Sequence, residues 1–564
     1  MSLYNKASLV LIPSGTKAGK VYSQKPTDGD GDFDFTRSSY ATRVNSKGLI
    51  EKERSNLLLQ SNNFDTTWEQ FNASLTPNQT GYDGSSDAWL LSTTTNSPQI
   101  RQYGLTLSGV HTFSVYLKAG TNDWARLLVQ GGVVRARYFD LANGVTGGSE
   151  YDDEIDSSMV DVGGGWYRCS ITVNISNITN ARVLTSNADL NHLNTTSGNI
   201  YIQDAQLEQG LVATDVIETT TSAVYEGITD NVPRLDYDGD CPSLLLEPQR
   251  SNKVGNSEFI NDDSSWTEQN GADCTPNYAI SPEGIQNATR IQLDNSGANS
   301  LTRIFHDFTP DSSNDTASFY AKSNTGSSLD ITFYLRDSGF GTVRGNKTVT
   351  LTSEWQRFEL TADCSGASGD VMFLIYNTTA SENWDFLLYA PQVEEGSYAT
   401  SYIPTYGTSV TRIGDVCNNA GDSTIFNDSE GVLYAETSKD TITTAGGISV
   451  SDGTYNNRVL FYFDTSGNIR GYVYSSGEQA NIITSGLDYT QNNKLAIKYS
   501  ANSTKFFVNG SLVGTEDTSS TMPVGLNQIN LHDGGGGSDF YGNVKSILYF
   551  DRALTDEELA DLTT

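Results

Sequence analysis

Two segments of the sequence each occur twice, in the same order, and the two copies of each segment align without gaps. Residues Leu49–Asn56, which end in Arg-Ser-Asn, match Leu245–Asn252. Residues Gln206–Gly210 return as Gln392–Gly396, and the residues that follow each copy keep the same spacing. Chance does not preserve register at both ends of so long a stretch, so the chain uses one structural unit twice.

The length of the chain agrees with a division into several units. A chain of 564 residues is too long for one hydrophobic core and corresponds to roughly three to four domains. Between the repeated ends the offset drifts, which indicates loop insertions at the surface. The predicted segments are a lead-in at 1–50, module 1 at 54–224, a linker at 225–249, module 2 at 250–412 and a C-terminal domain at 430–564.

Inside the two modules, corresponding segments alternate apolar and polar residues. Phe113–Lys118 corresponds to Ala317–Lys322, and Trp166–Thr172 corresponds to Trp355–Thr361. This alternation is typical of half-buried strands. Only 18% of the residues are charged, while 52 glycines and 29 tyrosines supply turns and strand faces. The predicted fold class is all-β, with tandem antiparallel β-sandwiches of jelly-roll type and very little helix.

The C-terminal domain has a similar strand pattern with a different rhythm. Runs such as Arg458–Phe463 and Ile469–Tyr474 are separated by turn signals such as Asp452-Gly453. This pattern predicts another antiparallel sandwich. The segment Thr555–Leu562 is the one predicted helix, because a threonine N-cap precedes acidic residues and spaced leucines.

The charge balance limits the partners of the protein. With 35 basic and 68 acidic residues the formal charge is −33. Such a field repels a phosphate backbone, so no nucleic-acid partner is expected. The apolar run near Met1 is too short for a signal peptide, and no stretch is long enough to insert into a membrane. The product is therefore expected to be made in the cytoplasm of its host.

The five cysteines have no CxxC spacing. Buried free thiols are the expected reading. Cys274 and Cys364 are the pair considered for a disulfide, because both fall within module 2.

Three parts of the sequence resemble known families. Phe506–Gly514 and Tyr541–Leu559 resemble the closing strands of a laminin-G-like, concanavalin-A-like jelly roll. The two modules resemble β-sandwich carbohydrate-binding modules. The lead-in run Phe33–Glu51, continuing into Arg54–Ser61, is similar to the opening of phage head-spike and tail-fibre proteins.

These resemblances imply a phage virion protein without enzymatic activity. The lead-in would attach to capsid or tail proteins, and the modules would bind surface polysaccharide of the host or its environment. A homo-oligomer is compatible with this reading, and no cofactor is required. The alternatives are a cell-surface or secreted carbohydrate-binding accessory protein and a polysaccharide-depolymerising spike.

The candidate ligand-binding residues are aromatic rings able to stack on sugars, and polar groups in a glycine-rich loop. They are Trp89 and Trp124 in module 1, with Tyr455, Tyr474, His532, Asp533 and Asp539 in the C-terminal domain. Calcium is the candidate metal, because aspartates alternate with glycines in the lead-in. Its predicted ligands are Asp28, Asp30, Asp32 and Asp34.

Evidence for catalysis is sparse. Glu150–Glu154 fits the bare acidic pattern of jelly-roll glycoside hydrolases, but a solvated acidic loop is favoured because an acidic residue replaces the expected apolar one. The four histidines are not clustered, and no nucleophile elbow or phosphate loop is present. No catalytic residue is therefore assigned.

The repeated ends themselves have two readings. Arg54–Asn56 and Arg250–Asn252 are predicted to open the scaffold rather than to bind a ligand. Gln206 and Glu208, with Gln392 and Glu394, are interpreted as hydrogen-bonding groups that fix the exit of each module. A shared metal or ligand site at these positions is the alternative.

Overall fold

The computed structural model describes residues 3–151, 154–238, 241–262, 264–295, 301–311, 313–379 and 381–564. Within these ranges the protein is built almost entirely of antiparallel strands, which confirms the predicted fold class. The α-helices are α1 (Leu3–Lys6) and α2 (Asp556–Thr563), and the 3₁₀ turns are His192–Asn194 and Ser338–Phe340. None of these helices is long and apolar enough to cross a bilayer.

The first strands are short in the lead-in and long in module 1. The lead-in strands are β1 (Leu9–Leu11), β2 (Thr16–Lys17), β3 (Lys20–Val21), β4 (Phe33–Thr36), β5 (Arg43–Val44), β6 (Ile50–Glu51) and β7 (Arg54–Asn56). The module 1 strands are β8 (Glu69–Phe71), β9 (Ala73–Gln79), β10 (Ala88–Thr93), β11 (Gln99–Ala119), β12 (Trp124–Gln130), β13 (Val134–Asp140), β14 (Val145–Ser149), β15 (Asp156–Gly163), β16 (Trp166–Ser186) and β17 (Asn199–Gln209).

Module 1 is a sandwich whose two layers share long strands. Strands β11 and β16 each span 21 residues and pair with each other along most of their length. Strand β12 pairs with the C-terminal half of β16, whereas β17 pairs with the C-terminal half of β11. Because alternate side chains point to the same face, Phe113, Leu127 and Val183 meet in one buried core.

The linker and module 2 follow. Their strands are β18 (Val224–Glu226), β19 (Arg234–Asp238), β20 (Cys241–Leu246), β21 (Arg250–Asn252), β22 (Thr267–Gln269), β23 (Ala272–Ile280), β24 (Gln286–Asp294), β25 (Arg303–Phe308), β26 (Asn314–Ser323), β27 (Leu329–Asp337), β28 (Val343–Leu351), β29 (Gln356–Asp363), β30 (Val371–Tyr376) and β31 (Asn383–Glu395). Two five-stranded sheets form module 2, in the orders β22-β25-β30-β27-β28 and β23-β24-β31-β26-β29. Phe319, Phe333 and Phe373 pack between them.

The C-terminal strands are β32 (Val410–Arg412), β33 (Val416–Asn418), β34 (Glu430–Lys439), β35 (Gly446–Ser451), β36 (Asn457–Phe463), β37 (Ile469–Ser475), β38 (Glu478–Ile483), β39 (Asn493–Ser500), β40 (Thr504–Val508), β41 (Ser511–Asp517), β42 (Gln528–Asn530) and β43 (Gly542–Phe550). One layer has the order β19-β20-β43-β34-β39-β40-β41, and the other has the order β38-β37-β36-β35-β42. The chain therefore ends in a second kind of sandwich, closed by the capped helix α2. Thr555 accepts a hydrogen bond from the Glu558 backbone amide, which confirms the predicted N-cap.

The lead-in and linker belong to this last sandwich rather than standing apart from it. Strand β1 pairs with β43 at Leu9–Leu11, and β20 pairs with the other end of β43. Phe33 and Phe35 of β4 are buried in the C-terminal core. Segments far apart in sequence thus complete one hydrophobic unit.

A buried group of ion pairs joins the segments where they meet. Arg37 of the lead-in and Arg234 of the linker both bind the Asp415 carboxylate. Arg234 and Arg412 both bind Glu247, with an N–O distance of 2.7 Å for Arg412. The three guanidinium groups are at most 1% exposed, so each needs these partners to offset its desolvation.

The repeated ends form the same hydrogen-bonded clamp in both modules. The Asn56 amide donates to the Ala205 and Ile217 carbonyls, and its oxygen accepts from the backbone amides of Leu58 and Leu207. Asn252 makes the corresponding four bonds in module 2. The prediction that Arg-Ser-Asn opens a reused scaffold is confirmed.

Glu208 and Glu394 fix the exit of each module. The Gln206 amide donates to Glu208 at 2.7 Å, and the Thr214 backbone amide donates to the same carboxylate at 3.0 Å. Gln392, Glu394 and Thr400 repeat this arrangement at 2.6 and 2.8 Å. All four Gln and Glu side chains are buried. These contacts bear out the structural interpretation.

The cysteines are free thiols, Cys274 and Cys364 included. Four of them are buried, and burial raises the pKa of the Cys169 thiol well above its usual range. Cys241 is exposed, so the expectation of buried thiols is wrong at that position. Cys241 is the first residue of β20, and the buried part of this strand, which includes Leu244, begins two residues later.

Candidate ligand-binding face of the C-terminal sandwich

The outer face of β36 and β37 presents a row of polar and aromatic side chains. Along β36, Val459 and Phe461 point into the core, so Arg458 and Tyr462 point outward. Tyr474 lies directly opposite Arg458 on β37.

Arg458 is held between two tyrosine rings. Its guanidinium carbon lies 5.0 Å from the Tyr455 ring centre and 4.3 Å from that of Tyr474. One of its N–H groups donates to the Asp533 carbonyl. Within the described residues, Arg458 makes no ion pair with a carboxylate. Cation–π contact therefore takes the place of the usual acidic partner.

The glycine-rich loop after β42 forms one wall of this site. The Asp533 carboxylate accepts from the Gly535 and Gly537 backbone amides at 3.2 and 3.0 Å. A Cβ atom at Gly535 would lie 2.5 Å from the Tyr455 ring. Glycine is thus required there because the loop backbone passes directly against the ring.

The tyrosines continue as a row beyond Arg458. The rings of Tyr472 and Tyr474 are 5.4 Å apart, and those of Tyr462 and Tyr472 are 6.2 Å apart. Tyr455 is 51% exposed, and the other three rings are half-buried. Burial raises the pKa of the Tyr474 hydroxyl, which therefore remains a neutral donor at physiological pH. Such a row offers stacking surfaces and hydrogen-bonding groups together.

The structure brings together three of the predicted C-terminal residues: Tyr455, Tyr474 and Asp533. His532 is buried, and its Nδ1 accepts from the Gly534 backbone amide at 2.9 Å, so it shapes the loop. Asp539 is half-buried and accepts from the Tyr541 hydroxyl at 3.4 Å. Burial lowers the pKa of His532 and raises that of Asp539.

The two tryptophans predicted to bind ligand lie in module 1, separate from this face. Trp89 is only 7% exposed, packs against Phe64 and donates its indole N–H to the Asn62 carbonyl. Its expected surface position is wrong, because strand β10 turns this ring into the core. Trp124 is half-buried at the start of β12 beside Gly147.

The four lead-in aspartates do not converge on one point. Asp28 accepts from the Asp30 backbone amide, whereas Asp32 accepts from the Ser23 backbone amide at 2.8 Å. Asp34 pairs with Lys20 at 2.7 Å, and this hydrogen bond lowers the pKa of its carboxyl group. In the described part of the chain no three acidic, His or Cys side chains group as metal ligands. The calcium site predicted from the spacing is not formed in this arrangement.

Within the described part of the acidic run in module 1, Glu150 and Tyr151 are exposed residues of a loop. Glu150 pairs with Arg126 and accepts from the Tyr138 hydroxyl at 2.8 Å. Glu154 pairs with Arg137 and is almost fully buried. Asp152 and Asp153 lie outside the described residues. The exposure of Glu150 and Tyr151 agrees with the predicted solvated loop, whereas the Glu154 side chain is buried, and arginines from neighbouring strands neutralise both glutamates.

Sequence reasoning missed Arg458, Tyr462 and Tyr472. A usable signal was present, since alternation within Arg458–Phe463 and Ile469–Tyr474 places these side chains on the face opposite the core. What the sequence did not show is that the glycine-rich loop, far along the chain, lies against the same face.

Comparison with known proteins identifies the class of the C-terminal domain. Residues 434–560 match the family model described as the concanavalin A-like lectin/glucanases superfamily. The protein is thus an all-β chain whose residues 434–560 are similar to that family. No curated protein matches the chain.

Several solved structures are weakly similar. The Ruminococcus gnavus IT-sialidase CBM40, bound to α2,3-sialyllactose, is 17% identical over 26% of this chain and 94% of its own, with a TM-score of 0.23. The CBM22 tandem of Paenibacillus barcinonensis Xyn10C is 12% identical over 61% and 98%, with a TM-score of 0.19. Mouse laminin α1 LG4-5 is 10% identical over 57% and 96%, with a TM-score of 0.18. The class assignment rests on the family match alone.

Proposed function

We propose that this is a non-catalytic carbohydrate-binding protein whose C-terminal sandwich binds polysaccharide on the outer face of β36 and β37. The observation that supports this most directly is Arg458, stacked between Tyr455 and Tyr474 beside a loop that exposes backbone groups. Aromatic rings stack on the C–H faces of sugars, and the adjacent guanidinium and hydroxyl groups bind their hydroxyls. The match of residues 434–560 to a lectin and glucanase family is consistent with this role.

Binding of the full chain to a polysaccharide array tests the proposal. We expect at least one polysaccharide to bind, and the double variant Tyr455→Ala, Tyr474→Ala to bind it about tenfold more weakly, because each ring contributes stacking energy. Tyr225→Ala is the matched control, since Tyr225 is 52% exposed and lies on β18, outside this face.

Two outcomes would contradict this function. Equal affinity of the wild-type protein and the double variant would exclude the face as the binding site. A fall in viscosity of the bound polymer on incubation would contradict the non-catalytic part of the proposal.

We further propose that the protein is displayed on the surface of a phage particle, with the lead-in contacting capsid or tail proteins. The similarity of Phe33–Glu51 to head-spike and tail-fibre openings motivates this setting. Integration of the lead-in into the C-terminal sheet favours a stiff appendage over one on a flexible tether. Immunogold labelling should mark the head or the tail. Unlabelled particles would instead support the carbohydrate-binding accessory protein of a cell surface.

A further inference from the structure

Module 2 has a second aromatic face, made of half-buried side chains on the outer side of the sheet β22-β25-β30-β27-β28. Phe340, Tyr376 and Tyr334 form a row on this face, with ring centres 6.5 Å apart for the first pair and 6.2 Å for the second. Arg303 lies at one end of the row and Arg336 beside Phe340. We call these five residues the arginine–aromatic face.

Phe340 holds its place through an unusual backbone conformation. Its φ angle is +63°, in the left-handed region that a bulky residue rarely adopts. The turn Ser338–Phe340 folds this ring back over Phe305, Met372 and Leu374, which it covers. Strain of this kind persists where the surrounding structure enforces it, and it is concentrated at binding sites.

Both arginines are oriented by neutral hydrogen-bond acceptors. Gln269 accepts from the Arg303 Nε at 2.8 Å, while the guanidinium stacks 4.0 Å from the Phe340 ring centre. Arg336 donates to the carbonyls of Phe340 and Gly341. Neither arginine pairs with a carboxylate in the part of the chain that the structure describes.

Module 1 shows that the scaffold does not require these residues. Phe71 lies three residues after Trp68, and Gln269 lies three residues after Trp266, so the two occupy corresponding positions. Phe71 pairs with Gln99, and Gln269 pairs with Arg303. Following the strand pairing from these positions, module 1 has Gln99, Leu184, Leu128 and Gln130 where module 2 has Arg303, Tyr376, Tyr334 and Arg336. At these four positions the cations and the rings are therefore specific to the second copy.

Two arginines on the corresponding face of module 1 pair with carboxylates. Arg101 pairs with Glu69 at 2.8 Å, and Arg126 pairs with Glu150. Arg182 of the same face has no carboxylate partner among the described residues and donates to the amide oxygens of Gln99 and Gln130. The corresponding positions of module 2 hold the arginines themselves, Arg303 and Arg336.

We propose that the arginine–aromatic face of module 2 is a separate site for a carboxylate-bearing saccharide. Guanidinium groups bind carboxylates through paired, charge-assisted hydrogen bonds, and the adjoining rings stack on the sugar. Arg303 and Arg336 would hold acidic groups on either side of Phe340, while Tyr376 and Tyr334 support the sugar rings. This site extends the proposed carbohydrate binding to a second, anionic class of ligand and uses none of the residues of the C-terminal face.

The test uses the full chain and variants that install the residues of module 1. Arg303→Gln and Arg336→Gln are substitutions that the same scaffold already tolerates at Gln99 and Gln130. Calorimetry would measure binding of oligogalacturonate, oligomannuronate and sialyllactose, with methyl-esterified oligogalacturonate as a neutral counterpart. We expect at least one acidic probe to bind, each variant to weaken it about tenfold, and the neutral ester to bind poorly.

Two controls separate this site from the rest of the molecule. Arg101→Gln removes an arginine of module 1 that also stacks on aromatic rings, and it should leave acidic probes unaffected. Tyr455→Ala alters only the C-terminal face, so a change there concerns the proposed function and not this site. The inference is overturned if no acidic probe binds, if both glutamine variants bind as the wild type does, or if the methyl ester binds equally well.

Discussion

Asp440 and Lys439 are adjacent titratable residues at the end of β34, where module 2, the linker and the C-terminal sandwich meet. Both help to line a cavity of about 410 Å³ between these parts. Burial raises the pKa of Asp440 to about 7, with a contribution from Glu247, and lowers that of Lys439 to about 8. The folded protein thus disfavours both charges. Burial likewise lowers the pKa of the nearby Arg37 to about 10 and lowers that of Arg412, although both pair with carboxylates.

The raised pKa of Asp440 predicts that ionisation of this residue lowers the free energy of unfolding as pH rises. Between about pH 4 and 7 the unfolded chain ionises Asp440 while the folded chain keeps it protonated, so its contribution to stability falls as pH rises. Asp440→Asn should therefore stabilise the protein by about 2 kcal/mol at pH 7.5 and have little effect at pH 4. Chemical denaturation at the two pH values measures this difference.

Asp34→Asn serves as a control of opposite sign. Lys20 lowers the pKa of Asp34, so its contribution to stability is present above the usual pKa and is lost as pH falls. This variant should be slightly less stable than the wild type at pH 7.5 and equal to it at low pH. An Asp440→Asn effect that is the same at pH 4 and pH 7.5 would refute the assignment.

At the scale of elements, one short strand closes each module. Strands β7 and β21 contain few residues, yet Asn56 and Asn252 join the start of the module to its last long strand and to the segment beyond. In each module, one asparagine side chain with four hydrogen bonds to backbone groups takes the place of a longer ladder of hydrogen bonds between strands. This explains why Arg-Ser-Asn repeats while the loops between the copies diverge.

Asn252→Ala should destabilise module 2 by about 3 kcal/mol, because it leaves several buried backbone groups without partners. Hydrogen exchange of peptides from β26 and β31 at increasing urea concentration would report this locally. Ser251→Ala, one residue away and only partly buried, should change stability by less than about 0.5 kcal/mol. A loss below about 1 kcal/mol for Asn252→Ala would show that the clamp is not required.

At the scale of the whole molecule, the order of segments in sequence is not the order of packing. The lead-in, the linker and the C-terminal strands build one sandwich, with β1 and β20 end to end along β43. Modules 1 and 2 are therefore insertions between parts of a single domain. The buried ion pairs of Arg37, Arg234 and Arg412 lie where these parts join.

This arrangement predicts that residues 430–564 are incomplete when expressed alone. Without β1 and β20, β43 becomes an exposed edge strand, and core residues such as Leu433 lose the cover of Phe33 and Phe35. We expect faster hydrogen exchange in Val544–Tyr549 of the fragment than in the full chain, and a tendency to aggregate. Equal exchange rates in the two proteins would show that the fragment is a complete domain.

The sequence by itself determined the all-β class, the two related modules, the capped final helix and the structural role of the repeated ends. These properties depend on short-range patterns: alternation along a strand, capping residues, and register between two copies of one scaffold. Tyr455, Tyr474 and Asp533 were also within reach, because aromatic residues and a glycine-rich loop are local signals.

Only the tertiary structure decided which of those residues share a surface and which charge that surface carries. The sequence made Trp89 a candidate binding residue, but its ring is buried in the core. Which face of a strand is buried depends on the elements that pack against it. Arg458 and Arg303 become candidate binding residues through the rings and loops packed against them, whereas Arg126 is neutralised by Glu150. Long-range pairing likewise made the lead-in part of the last sandwich, since a strand edge accepts any segment that can complete its hydrogen bonds.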